Sequence, residues 1–70
     1  MNVILYGVDG CHRCKFLGKM LEKRGISYTK ISDVPTIIAK NLDSVPAIEM
    51  DGKIIYEKEA ISWLAHYTKE

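Results

Sequence analysis

A four-residue apolar run, Val3-Ile4-Leu5-Tyr6, stops at Gly7, and from Cys11 onward apolar residues recur at helical spacing. So short a run, bounded by Gly7, Asp9 and Gly10, has the form of a buried strand. The segment that follows puts Cys14, Leu17 and Leu21 on one helical face, with Phe16 and Met20 beside it. Lys15, Lys19, Glu22 and Lys23 fall mostly on the outside. Gly25, after the basic Lys23 and Arg24, stops the helix, and Ile26 to Ile31 forms a second strand. A helical crossover between two strands of one sheet makes them parallel, and this fixes the start of the fold as β-α-β.

The rest of the chain adds to that unit. Ser32 or Asp33 caps a short helix with Pro35 in its first turn, carrying Ile37 and Ile38 to about Lys40. Asn41 to Val45 is a loop. Ala47 to Met50 and Lys53 to Tyr56 flank Asp51-Gly52, a strong hairpin signal. Across that turn Met50 faces Lys53 and Ile48 faces Ile55, so the two isoleucines share a core face. Glu57 to about Tyr67 is a last helix with Glu57 and Glu59 in its first turn and Ile61, Leu64 and Ala65 as its inner stripe. The expected order is β-α-β-α-β-β-α, an α/β fold with a four-stranded mixed sheet flanked by helices.

With 70 residues, net charge +1 and no repeat or linker, the chain is expected to be a single domain over 1–70. A domain of this size buries only about 60% of its unfolded surface, so the core must be compact. No run approaches the ~20 apolar residues of a membrane span, and Val3–Tyr6 is shorter than the ~7–15 residues of a signal-peptide core. Ten basic and nine acidic residues, scattered along the chain, exclude nucleic-acid binding by bulk charge. A cytoplasmic, monomeric protein is expected.

Two cysteines three residues apart, Cys11 and Cys14, close too small a loop to staple a fold. They stand where the first strand turns into the first helix. A helix start presents unpaired N–H groups and about half a positive charge, which favour an anion there. A thiolate at Cys11 gains from that field and from His12, Arg13 and Lys15, and the thiolate is the attacking species. Cys14 lies one turn on, in the buried stripe and within disulfide reach. Cys11 is therefore the candidate nucleophile and Cys14 the candidate resolving thiol. Two other readings stay open: a metal-binding or adaptor module using Cys11, His12 and Cys14 with distant His66, and an interaction domain with inert thiols. Lys15 in place of histidine excludes haem attachment. Tyr6, Trp63 and Tyr67 are taken as packing residues, Tyr6 with a possible second place at the groove.

Cys11-His12-Arg13-Cys14 after a strand, Ser44-Val45-Pro46 before a hairpin, and the element order together resemble the glutaredoxins and small glutaredoxin-like redoxins, over essentially the whole chain. The resemblance implies a thioredoxin-like fold and a redox-active dithiol that reduces protein or small-molecule disulfides with no bound cofactor and no metal. It implies a cis Pro46 against the active-site sulfurs, and a Val45 backbone that pairs with substrate. His12-Arg13 stands where glutaredoxins commonly carry Pro-Tyr, and the pair is expected to tune the thiolate and to lie at the substrate site. Two departures concern the reductant. Val8 stands where the family carries a basic residue for glutathione's glycine carboxylate. Tyr56-Glu57 replaces a Gly-Gly turn, and Glu59 or a neighbour stands for the acid after it. Arg13 offers a substitute positive charge for glutathione. The same losses fit redoxins that take electrons from a thioredoxin reductase and pass them to ribonucleotide reductase.

Overall fold

The computed structural model describes residues 2–67. Met1 and residues 68–70, counted in the single domain read from the sequence, lie outside them. Seven elements follow in order: β1 (Val3–Tyr6), α1 (His12–Lys23), β2 (Thr29–Ile31), α2 (Val34–Ala39), β3 (Ala47–Met50), β4 (Lys53–Tyr56) and α3 (Glu57–Ala65). The strands form one sheet in the order β2-β1-β3-β4. β1 and β2 are parallel, while β3 is antiparallel to both β1 and β4. The mixed sheet and element order are those expected.

Asp51 and Gly52 both take positive φ, 50° and 89°, as a two-residue turn between right-twisted strands requires. Met50 thereby faces Lys53 and Ile48 faces Ile55. Ile48 and Ile55 join Val3, Leu5, Leu17, Leu21, Ile26, Ala60 and Leu64 in the core between the sheet and the α1–α3 pair. No helix of the described residues is long and apolar enough to cross a membrane.

Four features are defined by the structure, two of them, the second strand and the last helix, against expectation. The second strand begins at Thr29 and not at Ile26. After Gly25, at φ 71°, the Ile26 N–H bonds the Leu21 carbonyl and the Gly25 N–H bonds that of Glu22. This is the paired cap that closes many helices, so Ile26 is spent on ending α1 and packs in the core beneath it. Second, Phe16 is 53% exposed because the buried stripe of α1 is Cys14, Leu17, Gly18 and Leu21, with glycine where a bulkier residue would hold the helix off the sheet. Third, α3 ends at Ala65 and buries Ala60 and Leu64, four residues apart, while Ala65 is exposed. Its phase is fixed because it starts directly after β4, with no intervening loop. Fourth, α2 buries no residue, and Ile38 is 68% exposed. Asp33 is its cap, accepting from the Thr36 N–H at 3.1 Å.

Candidate functional site

Parallel strands β1 and β2 end at the same edge of the sheet, and the Gly7 N–H there bonds the Ile31 carbonyl at 3.1 Å. Sites in α/β sheets form at the carboxyl ends of such strands. Gly10, at φ 82°, then turns the chain so that Cys11 stands at the N-cap of α1 in extended conformation. Its sulfur does what a serine or aspartate oxygen does at other caps: it accepts the Cys14 backbone N–H at 3.2 Å. The Cys14 thiol also donates to it, with the sulfurs 2.6 Å apart. Both cysteines are unbridged, Cys11 partly exposed and Cys14 buried.

These contacts divide the acidity of the pair. The thiol of Cys14, the Cys14 backbone N–H and the Arg13 backbone N–H all favour a Cys11 thiolate and lower its pKa, against partial desolvation and the negative charge of Glu57. Burial first, and the hydrogen bond given to Cys11 second, push the Cys14 thiol up to about 11. Hydrogen bonds to a charged form favour it and desolvation disfavours it, so one sulfur is prepared to attack while the other holds its proton.

Gly7 makes room for this arrangement, and sequence reasoning treated it only as the end of a strand. A Cβ placed on Gly7 would lie 2.7 Å from the Cys14 Cβ and 2.9 Å from its Sγ. The available signal was a glycine between strand and cysteine pair with no turn that needed it.

His12 and Arg13 are exposed on the first turn of α1. The Arg13 side chain turns toward Glu57, with Nη1 and Oε1 3.6 Å apart, so the charge offered as a glutathione anchor faces a carboxylate. His12 lines a pocket of about 310 Å³ with Val8, Asp9, Gly10, Cys11, Lys15 and Lys30. Val45 is half-buried, Pro46 is buried and the bond between them is cis. Register brings this bond to the cysteine end of the sheet: Ala47, its successor, pairs with Tyr6, and Gly7 packs on Cys14.

Two further contacts come from residues whose partners were not read from the sequence. The Tyr56 hydroxyl accepts the Asp43 N–H at 3.2 Å, tying the end of β4 to the loop before Pro46. Tyr6 is buried and points away from the core cluster, its hydroxyl donating to Glu49 at 2.7 Å, with Lys40 3.3 Å from the same oxygen. Burial and this hydrogen bond raise the Tyr6 pKa, while the Tyr6 and Lys40 contacts lower that of Glu49. Trp63 and Tyr67 pack edge to face with centroids 5.5 Å apart, against the core. His66 sits at the end of α3 with Nδ1 2.9 Å from the Ser62 carbonyl oxygen, and among the described residues no three His, Cys, Asp or Glu side chains cluster as a metal site.

The chain matches no protein-family model and no curated protein at a significant level. Solved structures do match. The glutaredoxin-like protein NrdH-redoxin from Escherichia coli shares 16% identity over all of both chains, with a TM-score of 0.76. The thioredoxin-like protein BC3987 shares 17% identity over 90% of this chain and 99% of its own, with a TM-score of 0.73. A single-site mutant of BC3987 gives 16% identity, 93% and 100% coverage and a TM-score of 0.74. The fold is thioredoxin-like. In this thioredoxin-like fold, the cysteine pair at the first helix and the cis-proline before the third strand occupy one end of the sheet.

Proposed function

We propose that the protein is a dithiol thiol–disulfide oxidoreductase, with Cys11 the nucleophile and Cys14 the resolving thiol. The observation that carries the proposal is the cap position of Cys11: a partly exposed sulfur bonded by the N–H and the thiol of a buried Cys14. The Cys11 thiolate attacks one sulfur of a disulfide RS–SR′. A bond forms between Cys11 and SR, the S–S bond breaks, and R′S⁻ leaves and takes a proton from water. Cys14 then loses its proton and displaces RS⁻, leaving a Cys11–Cys14 disulfide and two electrons on the substrate. Pro46 and the Val45 backbone shape the groove that receives it.

For the reductant, the Arg13–Glu57 pair favours a thioredoxin-reductase-type partner over glutathione, because Glu57 offsets the charge that would receive a carboxylate. The NrdH-redoxin of similar fold is described as having a thioredoxin-like activity profile. The role proposed for this chain is donation of electrons to ribonucleotide reductase, in the cytoplasm.

Two experiments test this. Cys14→Ser is expected to accumulate a mixed disulfide on Cys11 that intact-mass measurement detects, while Cys11→Ser forms none; disulfide reduction by Cys11→Ser would refute the assignment. Oxidised protein offered glutathione with its reductase, or NADPH with thioredoxin reductase, is expected to turn over faster with the second. Faster turnover with glutathione would overturn the choice of reductant.

A further inference from the structure

The surroundings of Cys11 are electrically lopsided. On one side Arg13 faces Glu57, and the two charges offset each other. On the other, a pocket of about 310 Å³ that Cys11 helps to line carries Lys15, Lys30 and His12 against one carboxylate, Asp9. The two ion pairs of the described residues, Arg13–Glu57 and Lys40–Glu49, use neither lysine. Beyond the positive charge they bring to the cysteine pair, their places on helix and strand do not explain these lysines. Lys15 lies near the start of α1, where the helix dipole disfavours a cation, and no acid in the first turn offsets it. Lys30 is on the edge strand β2, where a lysine discourages pairing with other chains, but that role does not call for a second lysine on the facing helix.

We propose that the Lys15–Lys30 pocket receives a carboxylate carried next to the attacked sulfur, so that Cys11 selects disulfides with an acidic flank over those with a basic one. This rests on the redox reading of Cys11 and adds the substrate class. In the mixed disulfide the half joined to Cys11 stays beside the pocket, where its carboxylate meets two ammonium groups, while the other half departs as R′S⁻ and takes a proton from water. The selection is expressed at the first displacement, before Cys14 acts.

The test uses two short peptides of equal length, each with one cysteine activated as its 2-thiopyridyl disulfide and flanked by either glutamates or lysines. Release of thiopyridone reports attack by Cys11 on the peptide sulfur. In the reduced wild-type protein at low salt the acidic peptide is expected to react at least fivefold faster than the basic one, the ratio for an exposed ion pair worth about 1 kcal/mol. In Lys15→Gln/Lys30→Gln the ratio is expected to fall to near one, and the ratio cancels any change in thiolate content that removing the lysines brings. A second arm compares anionic 5,5′-dithiobis(2-nitrobenzoate) with neutral 2,2′-dithiodipyridine. Lysine-dependent preference there and not with peptides assigns the carboxylate to small disulfides, and the reverse assigns it to polypeptides. Should the double variant fail to fold, the single Lys30→Gln variant carries the comparison. Equal rates for the two peptides together with no lysine-dependent preference for the anionic small disulfide, or a preference that survives loss of both lysines, overturns the proposal. No release with any probe would instead refute the redox reading itself, so the two failures are distinguishable.

Discussion

Gly7→Ala is the perturbation whose cost can be worked most directly from the structure. The added methyl would sit 2.7 Å from the Cys14 Cβ and 2.9 Å from its sulfur. Carbon atoms pack at about 3.5–4.0 Å, so strand β1 and helix α1 must separate locally by about 1 Å. Neither side gives easily. Gly7 is fixed by its N–H bond to Ile31 at the end of β1, and Cys14 belongs to the buried stripe with Leu17 and Leu21. Overpacking a filled core costs about 1–3 kcal/mol, and an overlap between two backbone-anchored carbons falls in the upper half of that range. At about 4–8 °C per kcal/mol for a domain of this size, thermal unfolding followed by circular dichroism should fall by about 10–20 °C. Gly18→Ala is the control. Its methyl would meet the Tyr28 hydroxyl oxygen at 3.0 Å and the Leu5 Cδ2 at 3.4 Å. The Tyr28 ring tip is half-exposed, and alanine adds about 1 kcal/mol of helix propensity, so this variant should melt within about 5 °C of wild type. The double change Gly7→Ala/Cys14→Ala should recover only part of the loss, because it removes the sulfur contact and keeps the closer Cβ contact. A Gly7→Ala protein that melts within about 2 °C of wild type would refute the argument that Gly7 is there to admit Cys14.

Three other predictions follow from the polar contacts. Removing the Glu57 charge with Glu57→Gln frees Arg13 and takes away a charge opposed to the thiolate, so the pH midpoint of Cys11 alkylation by iodoacetamide should move down; an upward move refutes it. Glu49→Ala leaves the buried Tyr6 hydroxyl without its acceptor and should cost about 1–3 kcal/mol in urea unfolding, whereas Tyr6→Phe leaves Glu49 with Lys40 and should cost less than about 1.5 kcal/mol. The Cys14 pKa is raised in the folded state to about 11, so its thiol contributes stability that is complete below the ordinary thiol range near 8.5 and is lost as pH rises towards 11. Melting temperatures of the reduced protein and of Cys14→Ala should therefore converge between those pH values, and a constant difference would refute the assignment.

The strands and the hairpin were legible because their signals are local. Asp51-Gly52 supplies the two positive φ angles of its turn, and the period-two register of Ile48 and Ile55 follows from it. The errors arose where a residue's partner lies in another element. Ile26 has strand character but gives its N–H to Leu21, and propensity cannot show which acceptor wins. Phe16 lies beside the buried stripe as expected, but that Gly18 belongs to the stripe shows only when the helix meets Leu5 and Tyr28. Ala65 was placed inside by a helix phase that β4 resets, since α3 begins with no loop after Tyr56.

The same division runs through the site. The placement of Cys11 at the start of the helix and of Cys14 in its buried stripe could be read from the sequence, because capping and the stripe of buried positions are properties of local sequence. The resemblance sets Tyr56-Glu57 where glutaredoxins carry a pair of glycines, but does not say what these two residues do. In the structure these adjacent residues end β4 and begin α3, and each reaches a different half of the site: Tyr56 bonds the Asp43 N–H in the loop before Pro46, and Glu57 lies against Arg13 between the cysteines. Two side chains on one abrupt strand-to-helix junction can brace both halves only because the junction itself is rigid, held by the β3–β4 ladder and by the packing of Ala60 and Leu64 into the core. A glycine pair at that junction could supply neither contact. Tyr56 and Glu57 therefore tie the loop before Pro46 and the first turn of α1 to one junction.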